Sequence, residues 1–191
     1  DYRHIEIDGS RVRYRHPATY VDLGGIAKGF AVDRAIALLE ARGITEAAVS
    51  AGGDSRILGD RRGQPWVVGV RHPRRAGEYA LKLPLADTAV STSGDYERFF
   101  ERDGERVHHI LDPSSGRSAR GALSVTIVGS ETLLTDALST SVFVLGARSG
   151  IDLIDRLPGV DAIVIDAEGR VHYSAGLMDP AAAPAESVPA E

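Results

Sequence analysis

The run Tyr20-Val-Asp-Leu-Gly-Gly-Ile-Ala-Lys-Gly-Phe-Ala-Val-Asp-Arg-Ala-Ile-Ala-Leu-Leu-Glu-Ala-Arg-Gly43 carries the first decision about the fold. Tyr20 to Leu23 reads as a short strand. Gly24 and Gly25 read as a turn that needs unusual dihedrals or a close backbone approach. From Ile26 the pattern is helical, with Ala27, Ala31, Ala35, Leu38 and Leu39 on one side. Gly43, after Arg42, is the expected stop. A junction of this kind leaves unpaired N–H groups at the positive end of a helix dipole and so invites an anion. Lys28, in the first turn, adds a charge. The spacing is neither GxxxxGK[ST] nor GxGxxG, and a tight connection with glycines for packing accounts for the same residues.

Outward from this unit, the chain has 191 residues, enough for one sizeable domain. Apolar residues at 43% and charged residues at 26% are ordinary for a globular protein. The net charge of −5, with no basic cluster longer than Arg74-Arg75, argues against a nucleic-acid surface. Without cysteine there is no thiol catalysis, disulfide or Cys-based zinc site. No apolar run is expected to reach the length of a membrane span. The chain starts at Asp1 without a signal-peptide pattern, which reads as a piece of something longer.

Ile5 to Val12 alternates around Asp8-Gly9 as a hairpin does. Further strands are expected at Ala47–Ser50, Trp66–Val70, Tyr79–Leu83, Ala89–Ser93, His108–Leu111 and Leu123–Val128. A last hairpin pairs Ala162–Ile165 with Val171–Ser174. Ala51-Gly52-Gly53-Asp54 reads as a second glycine turn. Helices are expected at Leu133–Leu145, stopped by Gly146, and at Ile151–Leu157, stopped by Pro158. Residues 1–179 form the folded region and 180–191 a disordered Ala/Pro/Glu tail. Many strands and few helices in no strict βαβ order predict an α+β fold.

Three constellations carry possible chemistry. Asp136 and Thr140 are four apart and share a helix face. A carboxylate in an otherwise apolar helix needs a partner. One carboxylate, one hydroxyl and phosphate or backbone oxygens suit Mg²⁺, whereas a salt bridge or a favourable place near a helix start explains Asp136 as well. In His108-His109, read as strand neighbours, one ring is expected to face a cleft and the other solvent. His109, three residues before Asp112, is the candidate proton acceptor, with an ordinary packed or surface histidine as the plainer alternative. Ser91, Thr92 and Ser93, followed by Gly94 and Tyr96, suit a phosphate, ribose or ring, or a strand ending in a helix cap at Ser93 or Asp95. Asp54 lines the same site or closes a loop.

Four ordered stretches extend the argument: Val21-Asp-Leu-Gly-Gly-Ile-Ala-Lys-Gly-Phe-Ala-Val-Asp33; Ala51-Gly-Gly-Asp54; Ser91-Thr-Ser-Gly-Asp-Tyr96 with His109-Ile-Leu-Asp-Pro113 and Gly116; and Thr135-Asp-Ala-Leu-Ser-Thr140 with Val144-Leu-Gly146. Together they resemble the ApbE family of FAD:protein FMN transferases, from about Ile5 to Ser174. The resemblance implies a T-fold-like α+β core with mixed or antiparallel sheets. It implies Mg²⁺-dependent transfer of FMN from FAD to a threonine hydroxyl of an acceptor flavoprotein, with AMP released, or hydrolysis of FAD to FMN and AMP. By motif, Asp136, Thr140 and a backbone carbonyl, taken as that of Ala27, match the metal ligands, and His109 matches the group that activates the acceptor. Gly24, Gly25, Lys28, Asp54, Ser91, Thr92, Ser93 and Tyr96 are the expected FAD-holding residues. Ser50 stands where many relatives are expected to have Asn. The family's N-terminal half, with part of the FAD cleft, has no counterpart here, so a non-catalytic flavin-binding piece is a further alternative. Relatives are often exported and lipid-anchored, which makes a periplasmic or membrane-associated place the family analogy and leaves a cytoplasmic one open.

Overall fold

The computed structural model describes residues 2–178. The expected tail at 180–191 lies outside the described residues. A short 3₁₀ turn, Tyr2–His4, leads into β1 (Ile5–Asp8) and β2 (Arg11–Tyr14). They pair antiparallel around the two-residue turn Gly9-Ser10, with Gly9 at φ 56°, so the expected hairpin forms. Tyr20–Leu23, expected as a strand, is irregular. The reason is local: the Asp22 carboxylate accepts the Gly24 N–H at 2.7 Å, and the Leu23 carbonyl accepts the N–H groups of both Ile26 and Ala27. Side-chain and turn bonds of this type compete with a strand ladder.

The helix that follows, α1 (Ala27–Glu40), buries Gly29, Val32 and Ile36. The expected face is therefore rotated: Ala27, Ala31 and Leu38 are exposed. An alanine-rich helix has little apolar contrast to set its facing, and Gly29 sets it instead. A Cβ there would lie 2.3 Å from the Thr132 carbonyl oxygen.

The central sheet is built from β3 (Ala47–Ala51), β4 (Asp54–Leu58), β7 (Ala89–Gly94), β10 (Ser124–Gly129), β11 (Asp161–Ile165) and β12 (Val171–Tyr173). Its strand order is β12-β11-β10-β7-β4-β3, every neighbouring pair antiparallel. Two ribbons stand apart from it: β5 (Trp66–Arg71) with β6 (Tyr79–Leu85), and β8 (Phe99–Arg102) with β9 (Glu105–His108). The architecture is α+β with antiparallel sheets, as expected. β4 and β8 are not among the expected strands, and His108–Leu111, expected as one, meets β9 only at His108. Asp54 opens β4 rather than closing a loop, and no helix follows Ser93, so the capping alternative fails.

The second long helix, α2 (Thr132–Ile154), packs across β7, β10, β11 and β4, and α1 packs against α2, β3 and β4. Between α2 and the sheet lies the main core, with Val125, Ile127, Ala162 and Val164 from the strands and Val142, Phe143 and Ile154 from the helix. Val70 and Leu83 of the β5–β6 ribbon pack with Ile163, whose strand neighbours Ala162 and Val164 belong to the main core. The alternation along β11 assigns the ribbon to the opposite sheet face. Gly146 does not stop the helix. It breaks it, at φ 77° and ψ 174°, and the helical run resumes to Ile154, short of Leu157. The break makes room for Gly121, where a Cβ would approach Gly146 Cα to 2.7 Å. A short α3 (Ala175–Met178) ends the described chain. Among the described residues α2 is the one helix long and apolar enough to cross a membrane, contrary to expectation. Its inward face nevertheless carries Thr132, Thr135, Asp136 and Ser139, all buried against the protein.

Candidate functional site

The site forms where the start of α1, the end of β7 and the first turns of α2 meet. Alternation along β7 turns Ser91 and Ser93 toward α2 and Thr92 the other way. The Ser91 hydroxyl bonds that of Thr135 at 2.8 Å. The Ser93 hydroxyl reaches Ser139 at 2.8 Å and Thr140 at 3.2 Å. Thr92 pairs with Thr126 across the ladder at 2.9 Å. The hydroxyl-rich side of α2 is thus matched by a hydroxyl-bearing strand.

Asp136 sits at the N-terminus of α1. Its Oδ2 accepts the Gly29 N–H at 2.9 Å and its Oδ1 accepts from Lys28 Nζ at 2.8 Å. The anion drawn by this helix terminus is therefore in part the chain's own carboxylate. Lys28 Nζ also lies 2.9 Å from Asp54 Oδ2. Burial works against the Lys28 charge, but the hydrogen bond to Asp136 and the adjacent Asp54 carboxylate outweigh it and raise its pKa. Burial pushes the Asp54 carboxyl up, against the pull of Lys28. Both carboxylate side chains are 2% exposed. Two buried acids on one ammonium leave an excess negative charge, and Asp54 Oδ2, for all its proximity to Lys28, lacks a hydrogen bond of good geometry.

Above this cluster opens a hollow of about 580 Å³. Gly24, Gly25, Lys28, Thr92, Ser93, His109 and Thr140 of the expected set line it, together with Asp22 and Gly52 of the quoted motifs, not expected as site residues, and Glu97 and Arg98. Asp54 and Asp136 lie beneath, reached through Lys28. Gly25, not Ala27, stands against Thr140: a Cβ on Gly25 would come within 3.9 Å of its Oγ1. Ala27 is the first helical residue, so its carbonyl points along α1, away from the turn. Ser91 is fully buried and Tyr96 packs over Gly94 with its hydroxyl 3.3 Å from Ser124. Neither lines the hollow: Ser91 is bonded to Thr135 beneath α2, and the turn after Gly94 carries the Tyr96 hydroxyl to Ser124.

The two histidines divide, but only in part as expected: His109 opens on the hollow, whereas His108 turns into the core rather than to solvent, and the strand that was to alternate them ends at His108. His108 is buried, its Nε2 donating to the Ala119 carbonyl at 2.9 Å and its ring edge-on to Phe143. His109 is exposed at the rim, with Nδ1 3.3 Å from the Arg98 carbonyl. A carbonyl only accepts, so Nδ1 carries a proton and Nε2 is the ring nitrogen that this bond leaves free. A second, more apolar hollow of about 620 Å³ adjoins the first and shares Asp22, Gly25, Leu111 and Thr140 with it. A larger one of about 840 Å³, near Arg148 and His172, holds none of the motif residues.

A model of the ApbE family matches residues 1–164. The chain belongs to the ApbE family. The protein of Treponema pallidum (strain Nichols) named FAD:protein FMN transferase is 43% identical over 170 residues, covering 83% of this chain and 47% of that protein. The one from Rhodobacter capsulatus is 37% identical over 179 residues, 90% of this chain and 34% of its own length. The crystal structure of the ApbE protein from Thermotoga maritima superposes with a TM-score of 0.84 at 39% identity, over 93% of this chain and 59% of that one. The flavin transferase ApbE from Vibrio cholerae gives 0.78 at 32% identity, over 92% of this chain and 57% of that one. This ApbE-family chain spans about half the length of the relatives it matches.

Among its described residues no group of three or more His, Cys, Asp and Glu could hold a metal. The donors present are instead two carboxylates in electrostatic excess, one threonine hydroxyl and a glycine turn. This set fits Mg²⁺, which is held by one or two carboxylates together with substrate phosphates rather than by an all-protein cage.

Proposed function

We propose that this chain is the cation- and phosphate-holding part of an enzyme that transfers FMN from FAD to a threonine hydroxyl of an acceptor flavoprotein and releases AMP. The observation that carries the reading is one convergence: a glycine turn, Ser93, Thr140 and His109 open on one hollow whose floor holds Asp136 and Asp54. Relatives bearing the name FAD:protein FMN transferase support the same choice.

Asp136, Thr140 and the backbone of Gly25 would hold the cation. When bound, it supplies charge neutralisation at the pyrophosphate, the main demand of phosphoryl transfer. Gly24 and Gly25 let a phosphate approach the backbone, and the N–H groups near the start of α1 add oriented dipoles. Ser93 orients Thr140 through its hydroxyl. His109 Nε2 takes the proton of the attacking hydroxyl, and Nδ1 stays bonded to the Arg98 carbonyl, which holds the tautomer. The attack opens the pyrophosphate on the FMN side, and AMP departs.

Intact mass of a threonine-bearing acceptor after incubation with this protein, FAD and Mg²⁺ tests the proposal. A covalent FMN adduct with stoichiometric AMP is expected. FMN and AMP free in solution, with the acceptor unmodified, would assign FAD hydrolysis instead. FAD binding without turnover would assign a flavin-holding piece.

A further inference from the structure

We infer that Lys28 is a resident counter-ion on Asp136, and that Asp54 is the positioning residue that takes Lys28 when a divalent cation enters. The inference rests on the cation site proposed above. One ammonium lies 2.8 Å from Asp136 and 2.9 Å from Asp54, so it can leave one carboxylate without leaving the other. Asp136 Oδ2 is committed to the Gly29 N–H, and Oδ1 is the oxygen that Lys28 covers. A cation reaching Asp136 through the hollow competes with that ammonium for Oδ1.

Asp54 is built for the exchange. It is 1% exposed, and its Oδ2 has no properly formed hydrogen bond although Lys28 is at hand. Its negative charge is in excess while Lys28 is shared, and would be fully compensated once Lys28 turned to it alone. The aliphatic stem of Lys28 runs under Gly52, where a Cβ would meet Cδ at 3.2 Å, and the side chain remains 39% exposed. It therefore has room at the surface to shift its tip. Asp54 bears on metal affinity without touching the metal, by giving the displaced ammonium a place in the protein.

Mn²⁺ binding, read by electron paramagnetic resonance without FAD, tests this on the whole chain. Lys28→Met should tighten Mn²⁺ roughly tenfold, and Asp54→Asn should weaken it roughly tenfold, within the usual span of coupling between two sites. In the Lys28→Met background Asp54→Asn should change affinity less than about twofold, since there is no ammonium left to place. If the two effects simply add, Asp54 acts only by its charge and the inference fails. If neither single variant shifts affinity, it also fails. Should Lys28→Met not fold, comparing Asp54→Asn with the double variant answers the same question: a large gain on removing Lys28 is expected, and no gain overturns the exchange. Asp136→Asn separates the levels. Loss of Mn²⁺ there, with the other shifts missing, overturns the inference alone. Unchanged Mn²⁺ there overturns the cation site and the inference together.

Discussion

At the scale of single residues, two adjacent histidines have opposite assignments, and each can be checked. His109 is exposed on the hollow with Nδ1 bonded to the Arg98 carbonyl and Nε2 left free by that bond. His109→Ala should slow transfer by about 10²–10⁴-fold, the usual worth of a positioned general base, and leave FAD affinity intact. Single-turnover transfer and a flavin fluorescence titration measure the two quantities, and an unslowed rate removes the role. His108 is buried with Nδ1 unpartnered. Burial lowers its pKa, against the help of the Ala119 carbonyl. The sign follows: the unfolded chain takes the proton more readily, so stability contributed by neutral His108 is present above about pH 6.5 and declines as pH falls from there through the lowered folded value. Urea midpoints should drop between pH 7.5 and 5. His108→Phe should flatten that drop, and an equal slope in the variant would place the cause elsewhere.

At the scale of elements, the α1–α2 crossing decides where the site is. Asp33 of α1 accepts the N–H groups of Thr132 and Leu133 at 2.9 and 2.8 Å, capping α2 from another helix. Asp136 of α2 accepts the Gly29 N–H of α1 in return. Each helix start is thus satisfied by an acid of the other, and Gly29 lets the backbones approach. Gly29→Ala should cost about 1–3 kcal/mol or more, because the crossing is against backbone that cannot retract like a side chain. Asp33→Ala should cost about 0.5–2 kcal/mol, the range for a lost cap. Chemical denaturation measures both. Gly29→Ala should also weaken Mn²⁺ binding, since it moves Asp136 relative to the turn. A variant with wild-type stability would show that the crossing has slack.

At the scale of the whole molecule, the helix layer supplies Lys28, Asp136 and Thr140, the sheet supplies Asp54 and Ser93, and the site is the seam between the two. A cation that binds only the folded seam stabilises everything. Mg²⁺ at one hundred times its dissociation constant should add about 2.7 kcal/mol, raising the melting temperature by roughly 5–10 °C for a chain of this size. A chelator should reverse the shift and Asp136→Asn should lack it. Scanning calorimetry with and without Mg²⁺ measures this, and no shift at saturating Mg²⁺ counts against a cation at the seam.

The sequence by itself determined the α+β class, the terminal hairpins, most strands and the ordered motifs, because hydrophobic alternation, glycine turns and residue spacing are local properties. It also marked Asp136, Thr140, Lys28 and His109, whose residue types are costly or idle unless used. Only the tertiary structure decided their partners. Local pattern favoured a strand at Tyr20–Leu23, yet Asp22 bends it. Apolar periodicity pointed to the wrong face of α1, since a backbone crossing at Gly29 outweighs small differences in alanine burial. The pairing of Asp136 with Lys28, more than one hundred residues apart, has no local signal at all. Nor does the placing of Asp54 beneath the same ammonium. Such contacts depend on which elements cross and at what distance, and those are fixed by packing of the whole chain.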